Sequence, residues 1–374
     1  SAWKTIKVPG NWEVQGFGVP IYTNIGYEFQ PSNPQPPKLP ENNPVGVYRR
    51  GFSVPEGWLQ RDVFLHLAGI KSGAYVYVNG HFVGYSEDSK SAAEFNISKH
   101  IVKGNNTLVL KVFRWSTGSF LECMDFWRIS GIERDVFVYS QPKTSVRDFR
   151  IVSTLDDDYT TGVFKLDIDL KNSKPEAGNV TVRYELLDAQ NNKVLQSEKQ
   201  LSVAAGSQST ATFSATLANV AKWSSETPGL YKLLITTLQD GRVSEVIPFK
   251  VGFRRIEIKE IAELNPSGKP HTLFFVNGQP IKMKGVNIHE HDPRTGHYVS
   301  EELMRKDLEL IKQNNLNAVR LSHYPHSRRF FELCDEYGVY VYNEANVEAH
   351  AMRYSLSKGG GLGNNPEYLN PIDR

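Results

Sequence analysis

Imidazole and carboxylate side chains follow three apolar segments in the last third of the chain, at the point where each segment ends. They are His289, Glu290 and His291 after the first segment, His323 after the second, and Glu344, Glu348 and His350 after the third. Such groups donate and accept hydrogen bonds and bind cations. If the three segments lie side by side, their shared placement predicts one functional site.

Glu348 and His350 have a spacing that suits a common ligand. On an extended segment, residues two positions apart point to the same side. A carboxylate and an imidazole can then meet one metal ion. An exposed ion pair explains the same spacing, and the spacing alone leaves both alternatives open.

Strands and helices alternate after residue 270 and must position these groups. The predicted strands cover residues 280–291, 317–325 and 339–350, and the predicted helices begin at Ser300 and at Ser327, the second ending at Gly338. Short links between alternating elements predict a parallel sheet covered by helices. The sequence lacks the glycine-rich phosphate turn of a doubly wound sheet. We therefore expect the first strands of a (β/α)8 barrel, whose active site lies at the carboxyl ends of its strands.

The preceding residues are predicted to be all β. Asn79-Gly80 indicates a type I′ hairpin within 74–87, and six prolines between residues 30 and 44 predict a loop. Strict alternation in 163–170 is typical of an immunoglobulin-like sandwich. The expected fold class is thus multidomain, β plus α/β. The predicted domains are residues 1–142, 143–253 and 254–374, the last an incomplete barrel.

Composition excludes several other functions. The 374 residues carry a formal net charge of +2, so nucleic acid is not an expected partner. No apolar stretch approaches the roughly 20 residues that span a bilayer, so no membrane interaction is expected. The two cysteines exclude a disulfide scaffold. They permit a cytoplasmic location, while a removed signal would permit a periplasmic one.

Several long motifs resemble one enzyme family along the whole chain. They are VPGNWEVQGFGVPIYTN (8–24), FRWSTGSFLECMDFWRISGIERDV (113–136), GVNIHEHDP (285–293), NAVRLSHYP (317–325) and LCDEYGVYVYNEANVEAH (333–350). In sequence and spacing the chain resembles the large bacterial β-galactosidases of glycoside hydrolase family 2. The resemblance implies a sugar-binding-like jelly-roll, an immunoglobulin-like domain and a barrel, in this order.

The resemblance also implies an activity. It is retaining hydrolysis of terminal non-reducing β-D-galactosyl residues, with lactose as the obvious substrate type, by two glutamates about 5 Å apart. In the family both glutamates, the acid/base and the nucleophile, lie beyond the segments that match this chain. We therefore expect both to follow Arg374, and neither role is assigned here. We expect the 374 residues to be a piece of a longer gene product, inactive alone, whose parent is a homo-oligomer.

The resemblance assigns substrate-binding roles to five residues. The family uses the histidines matching His289 and His323 to bind galactosyl hydroxyls and stabilise the transition state, and the arginine matching Arg320 to face the nucleophile. With that carboxylate absent, we expect the environment of Arg320 to be disturbed. Asp125 matches an aspartate that contacts the C6 hydroxyl and Na⁺, and Asn24 matches an asparagine of the same pocket. Taken alone, His289 and His323 are explained as ordinary rim histidines and Asp125 as a turn or cap residue, while Arg320 lies inside the second predicted strand.

Two of the matching residues hold Mg²⁺ in the family, namely those at Glu348 and His350. The third protein ligand would be the acid/base glutamate, so we expect Mg²⁺, and likewise Na⁺, to bind this chain alone weakly or not at all. Stacking on a sugar is one role open to Trp115 and Trp127, and core packing is the role we expect of each. Two other functions are considered, another family 2 hydrolase of the β-glucuronidase type and a non-catalytic carbohydrate-binding module. Asp125 would repel a glucuronide, and a binding module has no need of the strand-end cluster.

Overall fold

A computed structural model describes residues 3–32 and 34–351. The first part of the chain is a β-sandwich built around two antiparallel sheets, with strand orders β3-β9-β6-β7 and β13-β4-β8. Its strands are β1 (Gly10–Asn11), β2 (Ile21–Thr23), β3 (Val45–Val54), β4 (Asp62–Leu67), β5 (Ile70–Lys71), β6 (Gly73–Val78), β7 (His81–Glu87), β8 (Ala93–Asn96), β9 (Gly104–Phe113), β10 (Glu122–Cys123), β11 (Phe126–Arg128), β12 (Gly131–Ile132) and β13 (Val136–Gln141). The inward-facing residues Val63, Leu65, Val76, Leu110 and Val112 form its core. This sandwich is the predicted jelly-roll.

Local sequence signals explain the connections of this sandwich. The β6–β7 hairpin turns at Asn79 and Gly80, whose φ angles of 50° and 83° are those of the predicted type I′ turn. No strand occurs among the described residues of the proline-rich stretch between β2 and β3. Both of these predictions are confirmed.

The second part of the chain is a sandwich of seven strands. They are β14 (Thr144–Leu155), β15 (Gly162–Asn172), β16 (Gly178–Leu187), β17 (Lys193–Val203), β18 (Gln208–Leu217), β19 (Tyr231–Gln239) and β20 (Arg242–Val251). Sheets β14-β15-β18 and β17-β16-β19-β20 enclose one apolar core. Phe164, Leu166, Ile168 and Leu170 are fully buried there, as the alternation predicts. This is the immunoglobulin-like domain.

The third part begins with an antiparallel hairpin and continues as a parallel sheet. Its elements are β21 (Ile256–Leu264), β22 (Pro270–Val276), β23 (Gln279–Pro280), β24 (Gly285–Ile288), α1 (Glu301–Gln313), β25 (Ala318–Leu321), α2 (Arg328–Tyr337), β26 (Tyr340–Tyr342) and β27 (Glu348–Ala349). Strands β24, β25 and β26 pair in parallel in that order. Ser300 caps α1 by accepting a bond from the amide of Leu303, and Gly338 ends α2 with a φ of 70°. The β/α alternation of a barrel is confirmed.

All three predicted barrel strands are shorter than expected. Within 280–291 only β24 joins the parallel sheet, 317–325 is a strand only at β25, and 339–350 divides into β26 and the separate β27. Strand β27 leaves the barrel sheet because it pairs in parallel with β10 of the jelly-roll, opposing Glu348 to Glu122.

Two predictions about the extent of the domains stay open. The domain boundaries after residues 142 and 253 stay predictions. The last part of the predicted barrel segment, from residue 352 to Arg374, lies outside the described residues. The expectation that both catalytic glutamates follow Arg374 therefore also stays a prediction.

Candidate active site

His289 and His323 lie next to each other at the carboxyl ends of neighbouring strands. His289 follows β24 directly, and His323 is the second residue after β25. Their ring centroids are 5.5 Å apart, with the rings nearly perpendicular. Since β24 and β25 are parallel and adjacent, their ends fall at the same edge of the sheet. The predicted convergence of these histidines is therefore observed.

Arg320 and Glu344 hold His323 on one side. Arg320 Nε donates to Glu344 Oε1 over 2.5 Å, and His323 Nδ1 lies 3.1 Å from Glu344 Oε2. Arg320 Nη2 is 3.0 Å from the same Nδ1. A guanidinium only donates, so Nδ1 accepts from Arg320 in the tautomer that leaves Nε2–H as a donor. Protonation of Nδ1 instead makes Glu344 its acceptor.

This pairing changes the expectation for Arg320. The sequence prediction left its guanidinium without a carboxylate, whereas the structure gives it Glu344 as a partner in an ion pair. The prediction of a disturbed environment is therefore wrong in this respect. It failed because only the absent nucleophile was considered as a partner for Arg320, whereas Glu344 follows β26, the strand next to β25.

Glu348 and His350 form the pair that their spacing predicts. Glu348 Oε1 lies 2.8 Å from His350 Nε2, and His350 Nδ1 lies 2.9 Å from the backbone carbonyl of Asn24. A carbonyl can only accept, so Nδ1 carries a proton. Nε2 of His350 therefore has two possible states. If it is also protonated, the ring is an imidazolium and Nε2–H donates to Glu348. If it is not protonated, its lone pair faces the carboxylate, and a cation bound to both groups would be needed to offset the repulsion.

Asp125 and Asn24 reach the same region from the jelly-roll. Strands β2 and β11 pair so that Phe126 opposes Thr23, which places Asp125 and Asn24 at one end of this two-stranded sheet. Tyr22 Oη donates to Asp125 Oδ1 over 2.7 Å, and this bond raises the pKa of the Tyr22 phenol. Asn24 is exposed, and its carbonyl meets His350.

Aromatic rings join the jelly-roll loop to the barrel residues. Phe126 stacks on His297 with centroids 4.6 Å apart, and its ring lies 6.2 Å from that of His289. The ring of His323 in turn lies 6.4 Å from that of His350. These contacts link six of the predicted site residues, namely Asn24, His289, Arg320, His323, Glu348 and His350. Asp125, the seventh, adjoins them through Phe126, its neighbour in the sequence, whose ring faces that of His289.

Trp127 does not pack in the core as expected. Its side chain is 42% exposed and meets the ring of Tyr22 edge-on at 5.6 Å. Position 127 opposes Tyr22 across the β2–β11 pair, on the outer side of the sheet. Together they place an exposed aromatic surface beside Asp125.

Burial keeps His289 uncharged at neutral pH. Desolvation, followed by the neighbouring His323 and His291, lowers the pKa of His289 to about 4. A neutral imidazole still donates and accepts one hydrogen bond each, but it does not repel a positive charge. This property suits a site where an oxocarbenium-like charge develops on a sugar ring.

The depressed pKa values of His289 and His326 predict loss of stability in acid. Burial lowers the pKa of each to about 4, whereas an unfolded histidine titrates near about 6.5. Between these values the unfolded chain binds more protons, so stability is complete above about pH 6.5 and falls toward about pH 4, by up to about 1.4 kcal/mol per pH unit per histidine. We expect calorimetry to give a lower unfolding temperature at about pH 5 than at about pH 7. An equal or higher temperature in acid would contradict the assignment.

Sequence analysis did not predict several residues that contact the site. It assigned no role to Tyr22 and Phe126, which lie near Asn24 and Asp125 in the sequence, and it assigned no partner to Glu344. It also did not predict that Lys90 pairs with Glu133, or that Arg134 pairs with Glu290 and donates to the carbonyl of Pro325. The available signal was the charged pair Glu133-Arg134, which directly follows Ile132 in the sequence.

Two kinds of feature are absent from the part of the chain that the structure describes. Within 3–32 and 34–351, no group of three or more His, Cys, Asp or Glu side chains is arranged to hold a metal ion. No helix in the same part of the chain has the length and apolarity needed to cross a membrane.

Three family models match consecutive parts of the chain. Residues 1–142 match the sugar binding domain of glycosyl hydrolases family 2, residues 144–254 match the model described as glycosyl hydrolases family 2, and residues 270–372 match the TIM barrel domain of that family. Together the three matches leave few residues of the chain unassigned, and their order is that of the three parts described above.

Curated relatives and solved structures agree with these matches. A β-galactosidase of Priestia megaterium is 39% identical over 100% of this chain and 36% of its own length, and one of Streptococcus thermophilus is 43% identical over 94% and 33%. A Bacteroides uniformis β-glucuronidase superposes with a TM-score of 0.78 at 23% identity, covering 92% of this chain and 39% of its own. The last likeness shows the fold alone. The chain spans about a third of the length of these curated relatives.

Proposed function

This chain belongs to family 2 of the glycosyl hydrolases, and from this premise we propose that it forms the galactoside-binding part of a retaining β-galactosidase. The observation that carries the proposal is the identity of 39–43% to proteins named β-galactosidase, sustained over 94–100% of the chain. The convergence of residues from the jelly-roll and the barrel on one edge supports it. Both bond-cleaving glutamates would lie beyond Arg374.

In this proposal, His289 and His323 bind hydroxyl groups of the galactosyl ring. The Nε2–H tautomer of His323 is available when Arg320 donates to its Nδ1. A donor held in place by a guanidinium and a carboxylate needs little reorganisation as charge develops in the transition state. His289 contributes a second imidazole that is neutral near pH 7.

Asp125 would select a galactoside over a glucuronide. Its carboxylate is partly buried and held by Tyr22. It can accept a hydrogen bond from a neutral C6 hydroxyl, but it repels a C6 carboxylate. The structures of β-glucuronidases that resemble this chain are 22–23% identical and share the fold, so they do not favour that substrate here.

The full-length gene product tests this function. We expect it to hydrolyse nitrophenyl β-galactoside with a much higher kcat/KM than nitrophenyl β-glucuronide, with the first-formed sugar keeping the β configuration by NMR. A preference for the glucuronide would overturn the proposal. The 374-residue chain, assayed alone, is expected to show no turnover of either compound.

We also propose that Glu348 and His350 are two ligands of a Mg²⁺ ion. The 2.8 Å separation of their facing atoms, with Nδ1 of His350 committed to the Asn24 carbonyl, fits two neighbouring ligands of one cation. Mg²⁺ prefers oxygen ligands and keeps several waters, so further oxygen donors would be required. The ion would supply positive charge beside the acid/base glutamate. From the family resemblance we further propose that Na⁺ binds at Asp125 and that the full-length protein forms a homo-oligomer.

Metal removal tests the Mg²⁺ site. In the full-length enzyme, we expect EDTA to lower kcat and added Mg²⁺ to restore it. The direct readout is independent of activity: Mn²⁺ substituted for Mg²⁺ should broaden the NMR signals of His350 in a histidine-labelled sample. The control is His81, an exposed histidine of the jelly-roll. Equal broadening of both residues would contradict the assignment.

A further inference from the structure

A buried charged cluster connects the jelly-roll to the loops that carry His289 and His323. Its members, here called the bridge cluster, are Lys90, Glu133, Arg134, Glu290 and His297. Lys90, Glu133, Glu290 and His297 are each at most 4% exposed, and the side chain of Arg134 is 10% exposed. Lys90, Glu133 and Arg134 come from the jelly-roll, and the other two come from the barrel segment. None of the five is among the residues proposed above to contact the sugar.

Glu290 is the barrel residue at the centre of the bridge cluster. Its Oε2 accepts from Arg134 Nη2 over 2.7 Å and lies 3.6 Å from Lys90 Nζ. Its Oε1 accepts from the backbone amide of Ser327, the residue that caps α2, over 2.8 Å. Burial raises the pKa of the Glu290 carboxyl, but the positive charges around it, chiefly those of Arg134 and Lys90, together leave that pKa below its usual value. Glu290 directly follows His289, so its position fixes the backbone on one side of that histidine.

Arg134 holds both histidine loops with a single guanidinium. Nη2 donates to Glu290 Oε2 and to the carbonyl of Pro325, each over 2.7 Å. Nη1 donates to the carbonyl of Lys90, also over 2.7 Å, which anchors the guanidinium in the jelly-roll. Pro325 lies two residues after His323, in the loop that follows β25. One jelly-roll side chain therefore spans the loops after two neighbouring barrel strands.

Glu133 and Asn11 hold the loop that follows β24 at a second point, His297. Glu133 accepts from His297 Nδ1 over 2.7 Å and from Asn11 Nδ2 over 3.1 Å, and Lys90 Nζ lies 2.7 Å from its other oxygen. Asn11 Oδ1 accepts from the backbone amide of His297 over 2.8 Å. At Gly296, which has a φ of 76°, a Cβ would lie 2.6 Å from Asn11 Oδ1. The close approach of the two domains thus requires glycine there.

We propose that Arg134 is a positioning residue for the two histidines, which makes the jelly-roll a working part of the active site. The inference rests on the proposed function in that the histidines are taken to stabilise the transition state. Catalytic groups must be held to within about 0.5 Å, and a displacement of about 1 Å can reduce the rate by about 100-fold. Hydrogen bonds from the guanidinium of Arg134 hold both loops. A guanidinium is planar and has five N–H donors in fixed directions, so it can keep the loops within this tolerance.

The variant Arg134→Met in the full-length enzyme tests this role. We expect kcat to fall by about 10- to 100-fold, with little change in KM, because the loops still fold but the histidines shift. The concentration of competent sites is to be counted with a 2-fluoro-galactosyl inhibitor that traps the covalent intermediate, which separates lower turnover from loss of folded enzyme. Arg134→Lys should recover part of kcat, since an ammonium retains the charge but not the fork of donors.

Arg183→Met is the matched control. Arg183 pairs with Glu198 over 2.9 Å on the exposed face of the immunoglobulin-like domain, so this variant removes an arginine–glutamate bond away from the histidine loops. Its kcat per titrated site should equal that of the unaltered enzyme. An unchanged kcat per titrated site in Arg134→Met would overturn the positioning role.

A measurement on the 374-residue chain separates this inference from the proposed function. In a histidine-labelled sample, Arg134→Met should shift the imidazole signals of His289 and His323 and leave those of His81 and His100 in place. If the signals shift but the full-length enzyme cleaves no galactoside, the positioning role stands and the proposed function fails. If the signals of His289 and His323 stay in place, the positioning role is overturned, whatever the enzyme hydrolyses.

Discussion

Replacing His323 with phenylalanine in the full-length enzyme is expected to reduce kcat for a β-galactoside by about 100- to 1,000-fold, the usual effect of losing one fixed donor to a transition state. The reason lies in the contacts of the imidazole. Arg320 and Glu344 hold Nδ1 from one side, which directs Nε2 away from them. A phenyl ring fills similar space but neither donates nor accepts. Steady-state kinetics with nitrophenyl β-galactoside measure the effect.

His66→Phe is the control for that substitution. The side chain of His66 is 24% exposed and that of His323 is 20% exposed, so the two changes remove imidazoles of similar burial. His66 stacks on Phe137 and lies 3.8 Å from Glu94, and both of these partners belong to the jelly-roll. Its variant should keep the kcat of the unaltered enzyme. Equal losses in both variants would indicate a general effect on folding and contradict a specific role for His323.

Replacing Lys90 with methionine is expected to lower the free energy of unfolding far more than replacing an exposed lysine such as Lys103. Lys90 is 2% exposed, and its ammonium lies 2.7 Å from Glu133 and 3.6 Å from Glu290. Removing one partner of a buried ion pair leaves an uncompensated charge, which costs about 3–5 kcal/mol. For a domain of this size we expect the apparent melting temperature to fall by roughly 10 °C. Differential scanning calorimetry measures the change.

Lys103→Met provides the comparison for Lys90. Lys103 forms a 2.6 Å pair with Glu56, but the two side chains are 65% and 71% exposed. Water and salt screen such a pair, so its loss should barely change the melting temperature. A similar small change in Lys90→Met would mean that the bridge cluster contributes little to the stability of the jelly-roll.

Local patterns predicted the type and place of several elements. The hairpin at Asn79-Gly80, the alternation from Phe164 to Leu170, and the cap at Ser300 each depend on residues close in sequence. Such signals act through backbone conformation and side-chain periodicity, so they can be interpreted without knowing the fold. The strand-end position of the polar residues was predictable for the same reason.

Contacts between distant residues were not predictable in this way. The pairing of β10 with β27, which moves Glu348 out of the barrel sheet, joins residues more than 220 positions apart. The partner of Arg320 depends on strand order, and the burial of Lys90 depends on how two domains meet. A lysine in a polar loop is ordinarily exposed, so composition gives no sign of such a cluster.

The central claim is that the jelly-roll and the barrel edge together form one galactosyl pocket, with Asp125 at the C6 hydroxyl. The direct measurement is kcat/KM of the full-length enzyme for an aryl β-galactoside and for its 6-deoxy analogue, before and after Asp125→Asn. We expect the unaltered enzyme to prefer the galactoside by about 10- to 100-fold, the contribution of a hydrogen bond to a charged group. The variant should lose most of that preference. If Asp125→Asn keeps the full preference, Asp125 does not bind C6, and the jelly-roll does not form part of the pocket as described.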